Sequence, residues 1–139
     1  MDFTLSTVQV SALTLDPATE ARTFTQGEFM SATHGFRATM KAQPGRGDEL
    51  TALLLSATTA AGPATNPHCL LYLVSRDSAD RDLVHVTEGW TTKEAHTENF
   101  GRPSSQVFTA KLVPLLAGEP RYAAEVPVGG YLRNQAIGA

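Results

Sequence analysis

The chain has 139 residues, a formal net charge of −3 and a single cysteine, Cys69. This length suits one domain with an apolar core, and the scattered basic residues argue against a nucleic-acid partner. No apolar run is long enough to span a membrane, and the N-terminus, with Asp2, does not resemble a secretory signal. We therefore expect a soluble, cytoplasmic protein, with Cys69 as a buried, unreactive thiol.

Residues 1–34 differ in pattern from the rest of the chain. The alternation of apolar residues in "FTLSTVQVSALTL" changes phase twice, which favours a bulged strand or an extended arm over one regular strand. We therefore predict an N-terminal arm at 1–34, a core domain at 35–128 and a C-terminal tail at 129–139.

The core domain is predicted to begin with a strand and an amphipathic helix. Apolar and polar residues alternate in "GFRATMKAQ", which is typical of a strand. In "DELTALLLSATTAA" apolar residues recur at helical spacing behind two acidic residues, so we expect a helix that Gly62-Pro63 ends. The glycine-rich "PGRGDE" between them is interpreted as a turn. The apolar faces of the two elements consist of Phe36, Ala38, Met40, Ala42, Leu50, Leu53, Leu54 and Ala57.

Two further strands follow. "HCLLYLVSR" predicts a strand that is apolar on both faces, with Cys69, Leu71 and Leu73 on one side. "LVHVTEGW" predicts the next strand. Alternation there puts an acid and the only tryptophan on one side, together with two valines. The residues of that side are Val84, Val86, Glu88 and Trp90.

Two helices and a short strand complete the pattern. Thr91 and Glu94 have the spacing of a capping box, which predicts the start of a helix. A second helix, in "SQVFTAKLVPLLAG", should end or kink at Pro114, which has no N–H to donate. "PRYAAEVPVGG" predicts the last strand.

This order of elements predicts an α+β fold, a ferredoxin-like split βαβ domain whose antiparallel sheet carries both helices on one face. A strand that is apolar on both faces needs a second cover. A second copy of the chain, with the two sheets face to face in a dimeric α+β barrel, is the favoured cover. The N-terminal arm is the alternative.

Glu88 and His96 are the candidates for proton transfer. A partly desolvated carboxylate at 88 has a raised pKa and can move a proton, although a structural role at the sheet margin is an alternative. His96 and Asn99 stand three residues apart on the helix and point the same way. Near neutral pH His96 could take a proton from a phenolic hydroxyl, unless it faces solvent on a polar helix.

The other histidines, His34, His68 and His85, are isolated in sequence and are predicted to be structural. Neither the histidines nor the cysteine show a metal-ligand spacing, and no nucleotide-binding or nucleophile-elbow motif occurs. The sequence therefore predicts no metal and no cofactor.

Three segments in this order and spacing resemble the antibiotic biosynthesis monooxygenase (ABM) family: "MKAQPGRGDELTALL", "HCLLYLVSRD" and "LVHVTEGWTTKEAH". The family includes quinol monooxygenases and belongs to the dimeric α/β barrel superfamily. The resemblance covers about Gly35 to Val128. Its strongest element is the strand with Glu88 and Trp90, which runs into a helix that carries the "KEAH" segment from Lys93 to His96.

The resemblance implies a homodimer that oxidises a small aromatic substrate with O2 and without metal, flavin or haem. In that chemistry a phenol or hydroquinone loses a proton, and the resulting anion passes an electron to O2. The candidate catalytic residues are then Trp90, His96 and Glu88. The candidate substrate-binding residues are Trp90, Asn99, Tyr72, Phe100 and Val86.

The chain departs from two branches of the family. Anthrone-type members carry an asparagine where this chain has Val86. Haem-degrading relatives need an asparagine near Ala38 and a histidine near Asn99, so haem degradation is disfavoured. A non-catalytic ligand-binding dimer remains an alternative. So does a polyketide isomerase or dehydratase that uses His96 or Glu88 as a base.

Overall fold

The structure, a computed structural model, describes residues 31–59 and 62–131. Most of the predicted arm at 1–34 and of the predicted tail at 129–139 lies outside the described residues, so this division of the chain stays a prediction. Within the described residues, no helix has the length and apolar character needed to cross a membrane.

Four antiparallel strands form one sheet in the order β2–β3–β1–β4. The strands are β1 (His34–Lys41), β2 (Cys69–Arg76), β3 (Leu83–Trp90) and β4 (Arg121–Glu125). The helices are α1 (Gly47–Ser56), between β1 and β2, and α2 (Lys93–Phe100) and α3 (Pro103–Leu112), between β3 and β4. This order and topology confirm the predicted α+β, ferredoxin-like split βαβ fold.

The core lies where one face of the sheet packs against the helices. Ala38 opposes Val86 and Met40 opposes Val84 across the β1–β3 pair, so the four side chains share one face. All four are at most 5% exposed. Leu50 and Leu54 of α1 pack against these four side chains on the helix-facing side of the sheet. Each of the two leucines contributes about 1.5–3 kcal/mol to stability, the usual value for a fully buried leucine.

The turn between β1 and α1 depends on Asp82, which precedes β3. Its carboxylate accepts hydrogen bonds from the backbone N–H groups of Gly45, at 3.0 Å, and Gly47, at 2.9 Å. A Cβ atom at Gly47 would lie 2.1 Å from the carbonyl oxygen of Arg81, so only glycine fits. The interpretation of "PGRGDE" as a turn is therefore confirmed.

The prediction that Gly62-Pro63 ends α1 is wrong, because the helix ends at Ser56. The N–H of Ala57 already bonds to the carbonyl three residues back, and the hydroxyls of Thr58 and Thr59 do the same. Such bonds tighten the last turn and compete with helix continuation. The Gly62-Pro63 step instead begins a short 3₁₀ turn, Pro63–Thr65.

A β-bulge changes the predicted faces of β2. The register shifts between Cys69 and Leu71, so Cys69 opposes Trp90 while Leu71 opposes Gly89. Cys69 therefore shares the helix-facing side with Trp90 and not the face of Leu71, as the alternation predicted. It is half-buried, and burial together with the nearby Glu88 carboxylate raises the pKa of its thiol.

The cap of α2 is one residue later than predicted. The Thr92 hydroxyl accepts the N–H of Ala95 at 3.0 Å, whereas the Thr91 hydroxyl hydrogen-bonds with His68. The predicted capping box from Thr91 to Glu94 is thus replaced by a single cap at Thr92. The predicted end of α3 near Pro114 is confirmed, since the helix passes into a 3₁₀ turn at Val113–Leu115.

Replacing Thr92 by Ala should lower the free energy of unfolding by about 1 kcal/mol, because the N–H of Ala95 loses its acceptor. Urea denaturation followed by circular dichroism measures this. Thr92→Ser keeps the hydroxyl and serves as the control, with an expected change well below that of Thr92→Ala. Equal losses in the two variants would show that the cap does not stabilise α2.

Candidate functional site

A cavity of about 610 Å³ lies between the helix-facing side of the sheet and the three helices. Its walls are mainly apolar and aromatic, and polar side chains, among them those of Glu88 and His96, also line it. The sheet contributes Phe36, Ala38, Met40, Tyr72, Val86, Glu88, Trp90 and Tyr122. The helices contribute, among others, Leu54, His96, Asn99, Phe100, Phe108 and Leu112.

Glu88 and Trp90 form the centre of the site. Strand alternation places both on the cavity face of β3, and the indole N–H of Trp90 donates to Oε1 of Glu88 at 2.7 Å. Trp90 is fully buried, and the Glu88 side chain is 12% exposed. Burial raises the pKa of Glu88, and the hydrogen bond from Trp90 offsets part of that rise. The carboxylate is therefore a better proton acceptor than an exposed one.

The second oxygen of that carboxylate, Oε2 of Glu88, receives no hydrogen bond from any residue of the described ranges. A buried carboxylate oxygen without a donor is costly, and such atoms in native proteins usually have a ligand, a water or a chemical role. The structural alternative, a carboxylate that only accepts a bond from its neighbour, explains Oε1 but not Oε2.

The ring of His96 packs over the centre of the site. Its centroid lies 4.6 Å from that of Phe36 and 5.1 Å from that of Trp90. Burial, with a smaller contribution from His34, lowers the pKa of His96, so the neutral imidazole is favoured at neutral pH. The His96 side chain is only 16% exposed, and the alternative of a solvent-facing histidine is therefore wrong.

His96 and Glu88 approach each other without forming a hydrogen bond. Nε2 of His96 lies 3.7 Å from Oε1 of Glu88, which is too long for one. The pKa of Glu88 is raised and the pKa of His96 is lowered, and burial is the first cause of both shifts. Both shifts disfavour a charged pair, so this contact is not an ion pair at neutral pH.

His34 contacts the site through His96, a contact that the sequence did not reveal. It opposes Trp90 in the β1–β3 register, and its Nε2 lies 3.2 Å from Nδ1 of His96. The prediction that His34 is isolated is therefore wrong, and its structural role stays a prediction. The sequence pattern predicts a strand that starts at Gly35, whereas β1 starts at His34. Alternation from Phe36 back to residue 34 then puts the His34 side chain on the cavity side of the sheet. The rings of His68 and His85 form hydrogen bonds with the hydroxyls of Thr91 and Thr39.

The five predicted substrate-binding residues all line the cavity, but three of them already form hydrogen bonds, Trp90 with Glu88 and two others as follows. Oδ1 of Asn99 accepts a hydrogen bond from Asn66 at 2.9 Å, and the pair is buried. The Tyr72 hydroxyl donates to the carbonyl of Leu54 at 2.9 Å, and burial raises the pKa of this phenol. The Tyr72 hydroxyl is therefore no longer a free donor, and the amide oxygen of Asn99 is no longer a free acceptor.

The remaining two differ in position. Val86 is 2% exposed and forms part of the cavity floor. Phe100 is 54% exposed and lies at the outer edge of the lining. Asn66, whose side chain donates to Asn99, lies in a loop, and the sequence shows no pattern that would have identified it as part of the site. Across the part of the chain that the structure describes, no group of three or more His, Cys, Asp or Glu side chains is placed to hold a metal ion.

The comparisons with known proteins agree with this fold. A family model described as antibiotic biosynthesis monooxygenase matches residues 34–111. A Chloroflexus aurantiacus protein, provisionally named an antibiotic biosynthesis monooxygenase, is 34% identical, with 72% of this chain and 97% of that chain aligned and a TM-score of 0.62. No curated protein matches the chain.

Two more distant structures support the fold alone. A Caulobacter crescentus protein with the same provisional name has 24% identity and a TM-score of 0.63, over 75% of this chain and 97% of that chain. A Pseudomonas aeruginosa protein has 21% identity and a TM-score of 0.62, over 72% of this chain and 98% of that chain.

Replacing Glu88 by Gln should raise the thermal stability at pH 7. The pKa of Glu88 in the folded protein lies above its ordinary value of 4.5, so ionisation destabilises the fold as the pH rises through 4.5 and beyond. Gln keeps an oxygen for the Trp90 indole and removes this cost. The gain in Tm should therefore be largest at neutral pH and should vanish below pH 4.5.

Scanning calorimetry of wild type and Glu88→Gln from pH 4 to pH 8 measures this difference. Glu119→Gln, at an exposed carboxylate outside the cavity, is the matched control and should show no such dependence. A Tm of Glu88→Gln that is equal to or below that of wild type at pH 7 would contradict a raised pKa of the buried Glu88 carboxylate.

Proposed function

The chain belongs to the antibiotic biosynthesis monooxygenase family, and from that premise we propose that it is a cofactor-independent monooxygenase. Its substrate class is a quinol or a polyphenolic, polyketide-like aromatic, and O2 is the oxidant. The family and the name of the Chloroflexus protein support a monooxygenase-like function in general. The observation that carries the finer proposal is the pair Glu88 and His96, two proton-accepting groups beside the aromatic wall of one cavity.

The size and lining of the cavity support an aromatic substrate. A volume of about 610 Å³ lies within the usual range of small-molecule sites, roughly 300–1,000 Å³. Phe36, Trp90 and Tyr122 offer ring faces and edges to a flat ligand, with Phe36 and Tyr122 stacked at 5.3 Å. The Glu88 and His96 side chains lie within 3.7 Å of each other, so together they would orient a ligand with one reactive hydroxyl.

The chemistry begins with the loss of a proton. A phenolic hydroxyl beside His96 transfers its proton to Nε2 of that neutral imidazole, and the open oxygen of Glu88 offers a second acceptor. The phenolate then supplies electrons to O2. One oxygen atom enters the product and the other leaves as water, with both electron pairs coming from the substrate and the added hydrogens from its O–H and C–H bonds. The protein's part is to remove the proton in a dry aromatic site.

Replacing His96 by Gln should lower kcat for O2 uptake by about 10²–10⁴-fold, the usual contribution of a positioned general base. Purified protein treated with a chelator is assayed with an oxygen electrode over a panel of hydroquinones and anthrones. His68→Gln is the control, because His68 is exposed and contacts Thr91 outside the cavity. Its activity should equal that of wild type.

The same assay separates the alternatives. Wild-type uptake no faster than the spontaneous reaction would reject the monooxygenase. Conversion of the ligand under nitrogen would indicate an isomerase or dehydratase that uses His96 or Glu88 as its base. Stabilisation of the protein by an aromatic ligand without any turnover would indicate a binding protein of the same fold.

We also propose that the chain forms a homodimer through the face of the sheet that the helices leave uncovered. Leu71, Leu73 and Leu83 alternate along that face and are half-buried in the single chain. Apolar side chains on an open sheet face favour a second cover. A second copy of the chain, packed face to face, would bury them.

Sedimentation equilibrium should therefore give twice the chain mass of 14.8 kDa. Leu73→Arg places a charge in the apolar face and should give the mass of one chain. Leu55→Arg, on an exposed position of α1, is the control and should leave the dimer intact. A wild-type protein with the mass of one chain would contradict the dimer and favour the N-terminal arm as the cover.

A further inference from the structure

We propose that His34 is a positioning residue that receives the proton from His96 and passes it to solvent, so that the two histidines form a proton relay out of the cavity. This inference rests on the proposed function, because it concerns the fate of the proton that the substrate loses.

The geometry places the two nitrogens of the His96 ring in different surroundings. Nε2 faces the Glu88 carboxylate at 3.7 Å, on the cavity side. Nδ1 lies 3.2 Å from Nε2 of His34, on the other side of the ring. A neutral imidazole carries one proton and one open lone pair, so it can accept at one nitrogen and donate at the other.

The transfer balances without any movement of the ring. The substrate O–H bond breaks and a proton binds Nε2 of His96, which leaves the phenolate with the electron pair. The Nδ1–H bond of His96 then breaks, and its proton binds Nε2 of His34. His34 releases a proton from its other nitrogen to water. His96 ends neutral with its proton on Nε2. The pair resets when that proton passes to the reduced oxygen atom that leaves as water, while His34 takes up a proton from solvent and returns one to Nδ1 of His96.

His34 is placed where a proton that leaves His96 could reach solvent. It is half-buried and does not line the cavity, so it stands between His96 and solvent. Two other polar side chains of the site, those of Trp90 and Tyr72, do not offer such a route. The Trp90 indole can only donate, and the Tyr72 hydroxyl already donates to the carbonyl of Leu54.

The charged and titratable groups around His96 come from several elements. Glu88 of β3 and His34 of β1 face its ring directly. Behind Glu88 stand Tyr72 and Cys69 of β2, since each feels the charge of that carboxylate. Tyr122 of β4 stacks on the far side of Phe36. On α2 itself the other ionisable side chains are exposed, namely Lys93, Glu94 and Glu98.

A purely structural role for His34 is the competing explanation, because its ring also packs on that of His96 with centroids 5.2 Å apart. A packing role and a relay make different predictions for chemical rescue. If His34 only packs against His96, a small molecule in the buffer would not restore the activity that its removal costs. A proton acceptor at the surface can be replaced by a diffusible one.

The test compares wild type, His34→Gln and His34→Ala in O2 uptake with a hydroquinone. Both variants should lose about 10- to 100-fold in kcat at pH 7 while KM changes little, because substrate binding does not involve His34. Added imidazole should restore kcat of His34→Ala in a dose-dependent manner. His68→Ala, the matched control, should keep full activity with or without imidazole.

A second measurement is independent of turnover. Nitrogen-15 NMR of the histidine rings follows the titration of His96 in wild type and in His34→Gln. Removing the His34 charge should raise the pKa of His96, because that charge contributes to lowering it. An unchanged titration of His96, or a loss of kcat that imidazole does not rescue, would overturn the relay. If wild type takes up no O2, the monooxygenase fails, and the NMR titration alone decides whether the two histidines are coupled.

Discussion

The hydrogen bond from the Trp90 indole to the Glu88 carboxylate is the contact on which the site depends. It arises because residues two apart on a strand share a face, so the fold brings the acid and the indole to the same wall. A carboxylate that is taken out of water needs compensation, and one indole N–H compensates only part of it. The group therefore stays buried with a raised pKa, and its Oε2 receives no hydrogen bond from the residues that the structure describes.

The aromatic packing around this bond helps to hold the second acceptor in place. Phe36 and Trp90 both pack against the ring of His96, which keeps it beside Glu88. The low exposure of both His96 and Glu88 strengthens every electrostatic interaction between them and a ligand. A site that is mainly apolar and holds Glu88 and His96 close together suits the removal of a single proton from a flat, apolar molecule.

Much of this could be predicted from local pattern. Alternation along β3 placed Val86, Glu88 and Trp90 on one face, and helical spacing placed His96 and Asn99 together. The order of the elements was enough for the fold class, because a split βαβ unit has few alternatives. These features involve residues close in sequence, where periodicity carries the information.

The rest could not be predicted, because it depends on contacts between distant segments or on single-residue shifts. The pair of His34 and His96 joins residues 62 positions apart. The β-bulge in β2 puts Cys69 on the helix-facing side of the sheet. The residues there are apolar on both faces, so the sequence pattern does not distinguish the bulged register from the regular one. Two adjacent threonines compete for the cap of α2, and the pairing of one with His68 decides which of them caps it.

The central claim is that the cavity takes a proton from a phenolic ligand. Anaerobic absorbance titration with a quinol tests it most directly, because phenols and phenolates absorb at different wavelengths and the absence of O2 stops the reaction at this step. The account predicts that the bound ligand shows the spectrum of the anion at a pH where the free ligand is neutral, and that His96→Gln abolishes this spectrum. A bound ligand that keeps the neutral spectrum throughout would contradict it.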